Sequence, residues 1–403
     1  MRKGNRDLIK EINRNLVLNL IKSQGPISRT DLARISGLSP ATVSGITAEF
    51  LTSGIVRTTG EGESKGGRRP VLLHLNLSAG FVVGIKLMEN SITSALTDLD
   101  AKVLHHRETP MRLTEQPPSP EAILANIIQV IEQTIAESEV ERQRVLGIGV
   151  GMAGAVYGES GISRYSPFFN WRNVPIAKPI ADHFDLPVYV ENDVNALTIA
   201  EKWFGYGHDV DHFIVVTIGR GIGAGIVVNG QLYRGAGGSA GEFGHILMAS
   251  GSEMTTLENL ASDTAMVRQA ETAIEQGSQT KLTEAPSISL TAIIDAAESG
   301  DHLSRKLLAD SGRWLGIGIA SLINTLNPQL VIIAGEGVEA GEWRFDPMRE
   351  AIQAFTFDGL ATDTEIFVEP SGDVAWARGA ATLVLDELFK SPVLKKESVT
   401  SVV

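Results

Sequence analysis

A chain of 403 residues is long enough for two or three domains with buried cores, and 43% hydrophobic with 21% charged residues describes a globular protein rather than a disordered one. The absence of cysteine excludes disulfides, thiolate zinc sites and cysteine nucleophiles, leaving His, Asp and Glu as the metal ligands to weigh. The net charge of −13 argues against a chain coated by nucleic acid, yet residues 1–75 hold 12 Lys/Arg against 6 Asp/Glu and the remainder stands at −19. A basic head on an acidic body suggests a local anion-binding module, with a solvated basic face as the alternative.

The opening MRKGNRDLIKEINRN lacks the apolar core of a signal peptide, and no run in the chain approaches the length of a membrane span. A cytoplasmic protein with no membrane partner is therefore expected. Residues 15–23, NLVLNLIKS, carry helical apolar spacing that Gly25-Pro26 stops. Ser28 then caps a second helix, favoured by Asp31 near its start and buried through Leu32 and Ile35, until Gly37 turns the chain. Ser39 caps a third helix with Pro40 at its first position, Val43, Ile46 and Phe50 on one stripe, and an end near Gly54. Three short helices around a tight glycine turn form the helix-turn-helix pattern. On that reading Ser39, Ala41, Thr42, Ser44 and Thr47 face away from the apolar stripe, where small hydroxyl residues approach base edges and phosphates. A small helical bundle with polar exposed residues is the bland alternative. The next segment favours the first reading. Ile55-Val56-Arg57, the loop GEGESKGGRRP and the alternating LLHLNL make a hairpin with Lys65, Arg68 and Arg69 near its tip, as in a wing that meets double-stranded DNA.

From residue 76 to about 390 two stretches share an organisation. FVVGIKLMENSITSALTDLDAKVLHHRET and, about 130 residues later, FIVVTIGRGIGAGIVVNGQLYRG each read as three strands joined by tight turns. Helical Glu121 to Glu137 and strand-like VLGIGV follow the first; helical Leu303 to Leu326 and strand-like QLVIIAG follow the second. The expected architecture is α/β: a winged helix-turn-helix over 1–75, two duplicated α/β lobes with a cleft between them over 76–390, and a tail over 391–403.

Chemistry alone selects several cleft residues. Asn192 and Asp193 follow the strand LPVYV and open a helix, a usual position for binding groups in α/β sheets, although Asn-Asp also makes a good helix cap. Glu242 and His245 stand three apart in the loop GSAGEFGHI, and Glu258 in TLENLAS adds a carboxylate. Carboxylates and a histidine suit a ring of sugar hydroxyls, which need both donors and acceptors. The same residues are compatible with exposed loop positions or a hard-metal site.

With these residues in place, the chain resembles the ROK family over nearly its whole length, and within it the repressors of the NagC/XylR-like branch. The head segment at 13–56, the wing GGRRP, END at 191–193, GEFGH at 241–245 and LEN at 257–259 carry the resemblance. It implies an actin-like, sugar-kinase-like body, and it makes Asn192, Asp193, Glu242, His245 and Glu258 the sugar contacts. It also implies where this chain departs. In the family's kinases the counterpart of Asp193 is the catalytic base, and a DxGxT-type turn handles the phosphates of Mg-ATP. Here that turn reads GIKLMENS: Lys86 takes the aspartate position, and Met88, Glu89 and Asn90 replace small residues and the threonine. Phosphoryl transfer rests on positioning and on charge neutralisation around metal and phosphate, so the kinase activity is expected to be lost. The second turn, GRGIGAG at 219–225, stays small, but Arg220 stands where a hydroxyl residue is common. Many relatives carry a zinc motif of one His and three Cys between the GH and LE segments; this chain has no cysteine and only 12 residues between His245 and Glu258. The resemblance thus implies a homodimer or dimer of dimers that binds operator DNA and is released by a small sugar, xylose first and glucose or another hexose next, with no metal, cofactor or catalytic residue. Phe168 and Trp171 are either pocket or core aromatics. The rival is an active ATP-dependent sugar kinase with a regulatory DNA-binding head.

Overall fold

The computed structural model describes residues 6–62, 69–111, 113, 117–251, 253–369 and 372–390. The apolar run at 15–23 is the inner part of a longer helix, α1 (Arg6–Gln24), which buries Val17, Leu18 and Ile21. A two-residue strand, β1 (Ile27–Ser28), leads into α2 (Arg29–Ser36), where Ser28 Oγ accepts from the Asp31 amide. Leu32 is buried as expected, but Ile35 is 39% exposed, because the last turn of this short helix runs out at the surface into Gly37. Gly37, at φ +69°, supplies the left-handed residue that ends α2, and α3 (Pro40–Thr52) starts on Ser39, whose Oγ accepts from the Thr42 amide. Strands β2 (Val56–Glu61) and β3 (Val71–Leu75) make the wing, and β1 joins β3 to complete a three-stranded sheet in the order β1-β3-β2.

The first lobe opens with the meander β4 (Phe81–Leu87), β5 (Ser91–Thr97) and β6 (Val103–Pro110), followed by α4 (Pro120–Glu137) and β7 (Val145–Met152). A small antiparallel sheet, β8 (Ala155–Tyr157), β9 (Ile162–Ser166) and β10 (Trp171–Pro175), precedes α5 (Ala177–Phe184) and β11 (Val188–Asn192). Helix α6 (Asp193–Phe204) carries the chain to the second lobe, where β12 (Phe213–Ile218), β13 (Ile222–Val228) and β14 (Gln231–Leu232) repeat the meander, its third strand cut to two residues. The hairpin β15 (Leu247–Ser250) and β16 (Glu253–Thr256) leads to four helices: α7 (Leu257–Ala261), α8 (Asp263–Glu275), α9 (Leu290–Glu298) and α10 (His302–Leu326). Strand β17 (Leu330–Ala334), α11 (Glu342–Phe355), α12 (Leu360–Asp363) and β18 (Glu365–Val368) complete the lobe. Its sheet, β14-β13-β12-β17-β18, repeats the first lobe's β6-β5-β4-β7-β11 strand for strand, antiparallel through each meander and parallel beyond it.

The last helix, α13 (Asp373–Phe389), returns to the first lobe. Two glycines paired across β4 and β7 admit it: a β-carbon on Gly84 would lie 1.9 Å from the Ala377 carbonyl oxygen, and one on Gly149 would lie 1.8 Å from that of Ala380. Each lobe has its own apolar core, around Ile85, Ile127 and Ile148 in the first and Val216, Ile319 and Ile333 in the second. A third core joins Val17, Phe50 and Leu73 of the head to Val82 and Leu99 of the first lobe and Phe389 of α13. Burying side chains of this size contributes roughly 1.5–3 kcal/mol each, so the head is packed onto the body rather than tethered to it.

Candidate functional site

Asn192 ends β11 and caps α6, its Oδ1 accepting from the amides of Val194 and Asn195 at 3.0 and 3.2 Å. Its Nδ2 donates to the Gly154 carbonyl at 3.1 Å, so both ends of the amide are held. Asp193 follows on the first turn. One oxygen accepts from the Val194 amide at 2.9 Å and the other is ion-paired with Lys86 Nζ. Lys86 is 4% exposed, with its ammonium 4.2 Å from the centroid of the Trp376 ring, so the pair neutralises two charges that would each be costly in this water-poor place. Of the two roles weighed for Asn192-Asp193, the helix cap is the one these contacts make, with Asp193 held beside it by Lys86.

In the second lobe, Glu242 precedes a single 3-10 turn, Phe243–His245, whose last residue is His245. They stay well exposed and form a loose pair at 3.8 Å. Glu258, on α7, is part-buried and accepts from the Ile222 amide at 2.9 Å, which ties the glycine turn at 219–225 to the helix. Between His245 and Glu258 the strands β15 and β16 pair antiparallel. The zinc site of related chains does not fit here, since cysteine is absent and His245's acid neighbour is a loosely placed Glu242.

Among the described residues, two ion pairs bridge the lobes, and spacing gives no sign of either. Arg234 Nε donates to Glu191 Oε2 at 2.8 Å, and Arg220 Nη2 donates to Glu89 Oε2 at 2.7 Å. Glu191 is 3% exposed, and its other oxygen accepts from the Asn192 amide and from Asn195 Nδ2, so Arg234 of the second lobe braces the strand end that presents Asn192. Its signal in the sequence is the first letter of END, without anything to indicate a partner 43 residues away. Arg220 also lies 5.5 Å from the centroid of the Phe168 ring, which is itself partly buried against the first-lobe core in which Trp171 is buried.

On the head, Ala41 and Ser44 are exposed on α3, Thr42 is half-buried, and Ser39 is exposed with its hydroxyl 2.8 Å from that of Thr42. Thr47 departs from the expected reading face. It is fully buried, because its Oγ1 accepts from Arg29 Nε at 3.0 Å and its position turns toward α2 with Val43 and Ile46. Arg69 is exposed just before β3, and Arg57 is exposed on β2 opposite His74. Lys65 and Arg68 lie outside the described residues, as does the tail at 391–403.

A family model described as ROK family matches residues 82–387, and one described as winged helix-turn-helix DNA-binding matches residues 10–57. The xylose repressor of Caldicellulosiruptor bescii is 34% identical over 398 residues, covering 96% of this chain and 99% of that protein. A crystal structure of a ROK family transcriptional regulator, a homolog of the Escherichia coli MLC protein, superposes with a TM-score of 0.84 at 31% identity, covering 97% of this chain and 99% of the other. A ROK family glucokinase from Streptomyces griseus, solved with glucose and AMPPNP, superposes over 75% of this chain and 99% of its own, with a TM-score of 0.63 and 27% identity.

Proposed function

The chain belongs to the ROK family, and from that premise we propose that it is a sugar-responsive, DNA-binding transcriptional repressor of carbohydrate utilisation genes, with xylose as its inducer. The observation that carries this reading is a winged helix-turn-helix sharing one apolar core with a two-lobed, kinase-like body, in a chain similar over nearly its whole length to a xylose repressor. The heads of a homodimer, or of a dimer of dimers, occupy the half-sites of a near-palindromic operator. Ala41, Ser44, Thr42 and Ser39 face the bases and backbone of the major groove, while the wing with Lys65, Arg68 and Arg69 meets the phosphates or a minor groove.

Sugar hydroxyls are received by Asn192 and Asp193 from the first lobe and by Glu242, His245 and Glu258 from the second. Asp193 acts as an acceptor in this reading rather than as a base: one oxygen is paired with Lys86 and the other accepts from the Val194 amide, and each keeps a second lone pair for a sugar hydroxyl. A triphosphate and its metal would meet Lys86 where a metal-binding carboxylate is needed, and the Arg220–Glu89 pair across the turns that face the phosphate path. Kinase activity is accordingly absent in this reading. Sugar selects the lobe arrangement that fits the operator less well, and a hundredfold release requires about 2.7 kcal/mol of difference in sugar affinity between the two states.

The test is fluorescence anisotropy of the full chain on duplex DNA from upstream of its own gene, at fixed salt, titrated with xylose, glucose and N-acetylglucosamine. Specific binding released by xylose is the expected result. Absence of specific binding, together with xylose-dependent ATP turnover in a coupled assay, would return the chain to the kinases.

A further inference from the structure

Helix α6 begins in the cleft and ends at the head. Asn192 and Asp193 lie at its start, Trp203 and Phe204 at its end, and its 12 residues span about 18 Å at a rise of about 1.5 Å each. It is gripped on two sides along the way. A β-carbon on Gly225 of β13 would lie 1.9 Å from Thr198 Oγ1, and one on Gly379 of α13 would lie 3.2 Å from both the nitrogen and the Cα of Leu197. With backbone packed this closely against it, the helix has no slack in which to bend, and a displacement of its first turn carries the last turn along.

At the far end stands Lys22, in the last turn of α1. Its Nζ is 3.7 Å from the centroid of the Trp203 ring, 4.6 Å from Phe204 and 4.6 Å from Phe389 of α13. The cage is itself anchored: Trp203 Nε1 donates to Asp386 Oδ1 at 2.8 Å, and Asn19 Nδ2 of α1 donates to the Phe389 carbonyl at 2.9 Å. Attraction between an ammonium and ring faces depends on distance and ring angle, and it grows when water is excluded. Lys22 is half-buried, and this burial lowers its pKa to about 8 in spite of Asp100 and Asp386 nearby. Beside the cage lies a cleft of about 550 Å³ lined by Asp100, Lys102, Trp203, Phe204, His208 and Arg378, which leaves the two rings of α6 room to move.

We propose that Lys22, caged by Trp203, Phe204 and Phe389, is the positioning residue through which α6 transmits occupancy of the cleft to the DNA-binding head. The inference rests on the sugar reading given above. Sugar at Asn192 and Asp193 displaces α6, the rings shift against the Lys22 ammonium, and α1 re-angles together with α2 and α3, whose Leu32, Val43 and Phe50 share its core. The operator-bound arrangement is the one in which the cage is closed.

The readout is the ratio of the Kd for DNA with and without saturating sugar, in the full chain, on a labelled duplex from upstream of its gene. Sugar affinity is measured separately by calorimetry, with whichever of xylose, glucose or N-acetylglucosamine releases the unaltered chain. Lys22→Met keeps the stem and removes the charge. It is expected to leave the sugar Kd and the sugar-free DNA Kd within about threefold while the ratio falls about tenfold or more. Lys22→Arg, which returns a cation to the rings, is expected to recover the ratio. An unchanged ratio in Lys22→Met overturns the proposal. So does loss of sugar binding, DNA binding or folding in both variants, which would make Lys22 merely structural. If none of the three sugars alters DNA binding by the unaltered chain, the functional reading has failed before any variant is made, and this proposal falls with it.

Discussion

Arg29 Nε donates to Thr47 Oγ1 inside the head, fastening the first residue of α2 to the middle of α3. Thr47→Ala is expected to lower the stability of the head by about 1 kcal/mol, read in urea denaturation, and to leave the preference among operator variants unchanged. A changed base preference would put Thr47 back among the readers. Arg69 and His245 divide the labour between the ends of the chain. Arg69→Ala should weaken DNA binding and flatten its salt dependence with no change in sugar affinity, and DNA affinity unaltered at moderate salt would remove the wing from the interface. His245→Ala should bind DNA normally and no longer respond to sugar; a normal response would locate the pocket elsewhere. At this scale the sequence is informative about residue type and poor about direction. Spacing places Val43, Ile46 and Phe50 inward, but it cannot direct Thr47, one position after Ile46, because a hydroxyl suits water as well as it suits a half-buried arginine.

Glu201 lies in the third turn of α6, 4% exposed, against Glu369 just beyond β18. Burial, and then the neighbouring Glu369 carboxyl, push its pKa up to about 7 from 4.5, although the Tyr206 amide and Arg378 pull the other way. The folded chain therefore keeps a proton that the unfolded chain releases between pH 4.5 and about 7. Its contribution is fully present below that window, and stability falls as pH rises through it. Glu201→Gln, permanently neutral, should flatten this dependence in thermal melts across the same range, and a slope identical to that of the unaltered chain would refute the assignment. The elements themselves divide by length. Long periodic segments such as 121–137 and 303–326 match α4 and α10 to within a residue at each end, because many apolar positions share one period. Strand β1 has two residues and no period to read. Helix α13, buried on nearly every side against the β4–β7 sheet and α6, has no polar stripe to mark it.

For the whole molecule, a repressor of near-palindromic DNA is expected to bind as two chains per duplex, or four as a dimer of dimers, and sedimentation of the complex with a full operator should show the protein mass of two or four chains. One chain per full operator would refute the dimer. What the sequence by itself determined is the order of parts: a basic winged helix-turn-helix, then two lobes of like topology, with an Asn-Asp pair at a strand end and a Glu-His pair in a glycine loop. These are local matters of period, turn chemistry and charge, and they survive in a one-dimensional string. Only the tertiary structure decided how the parts meet: Lys86 across from Asp193, Arg234 across from Glu191, Gly84 and Gly149 under α13, and Lys22 among three rings. Each of these pairs residues far apart in the chain. The energy that selects them comes from removing charge and apolar surface from water at a particular place, and that place exists only once both lobes and the head have packed.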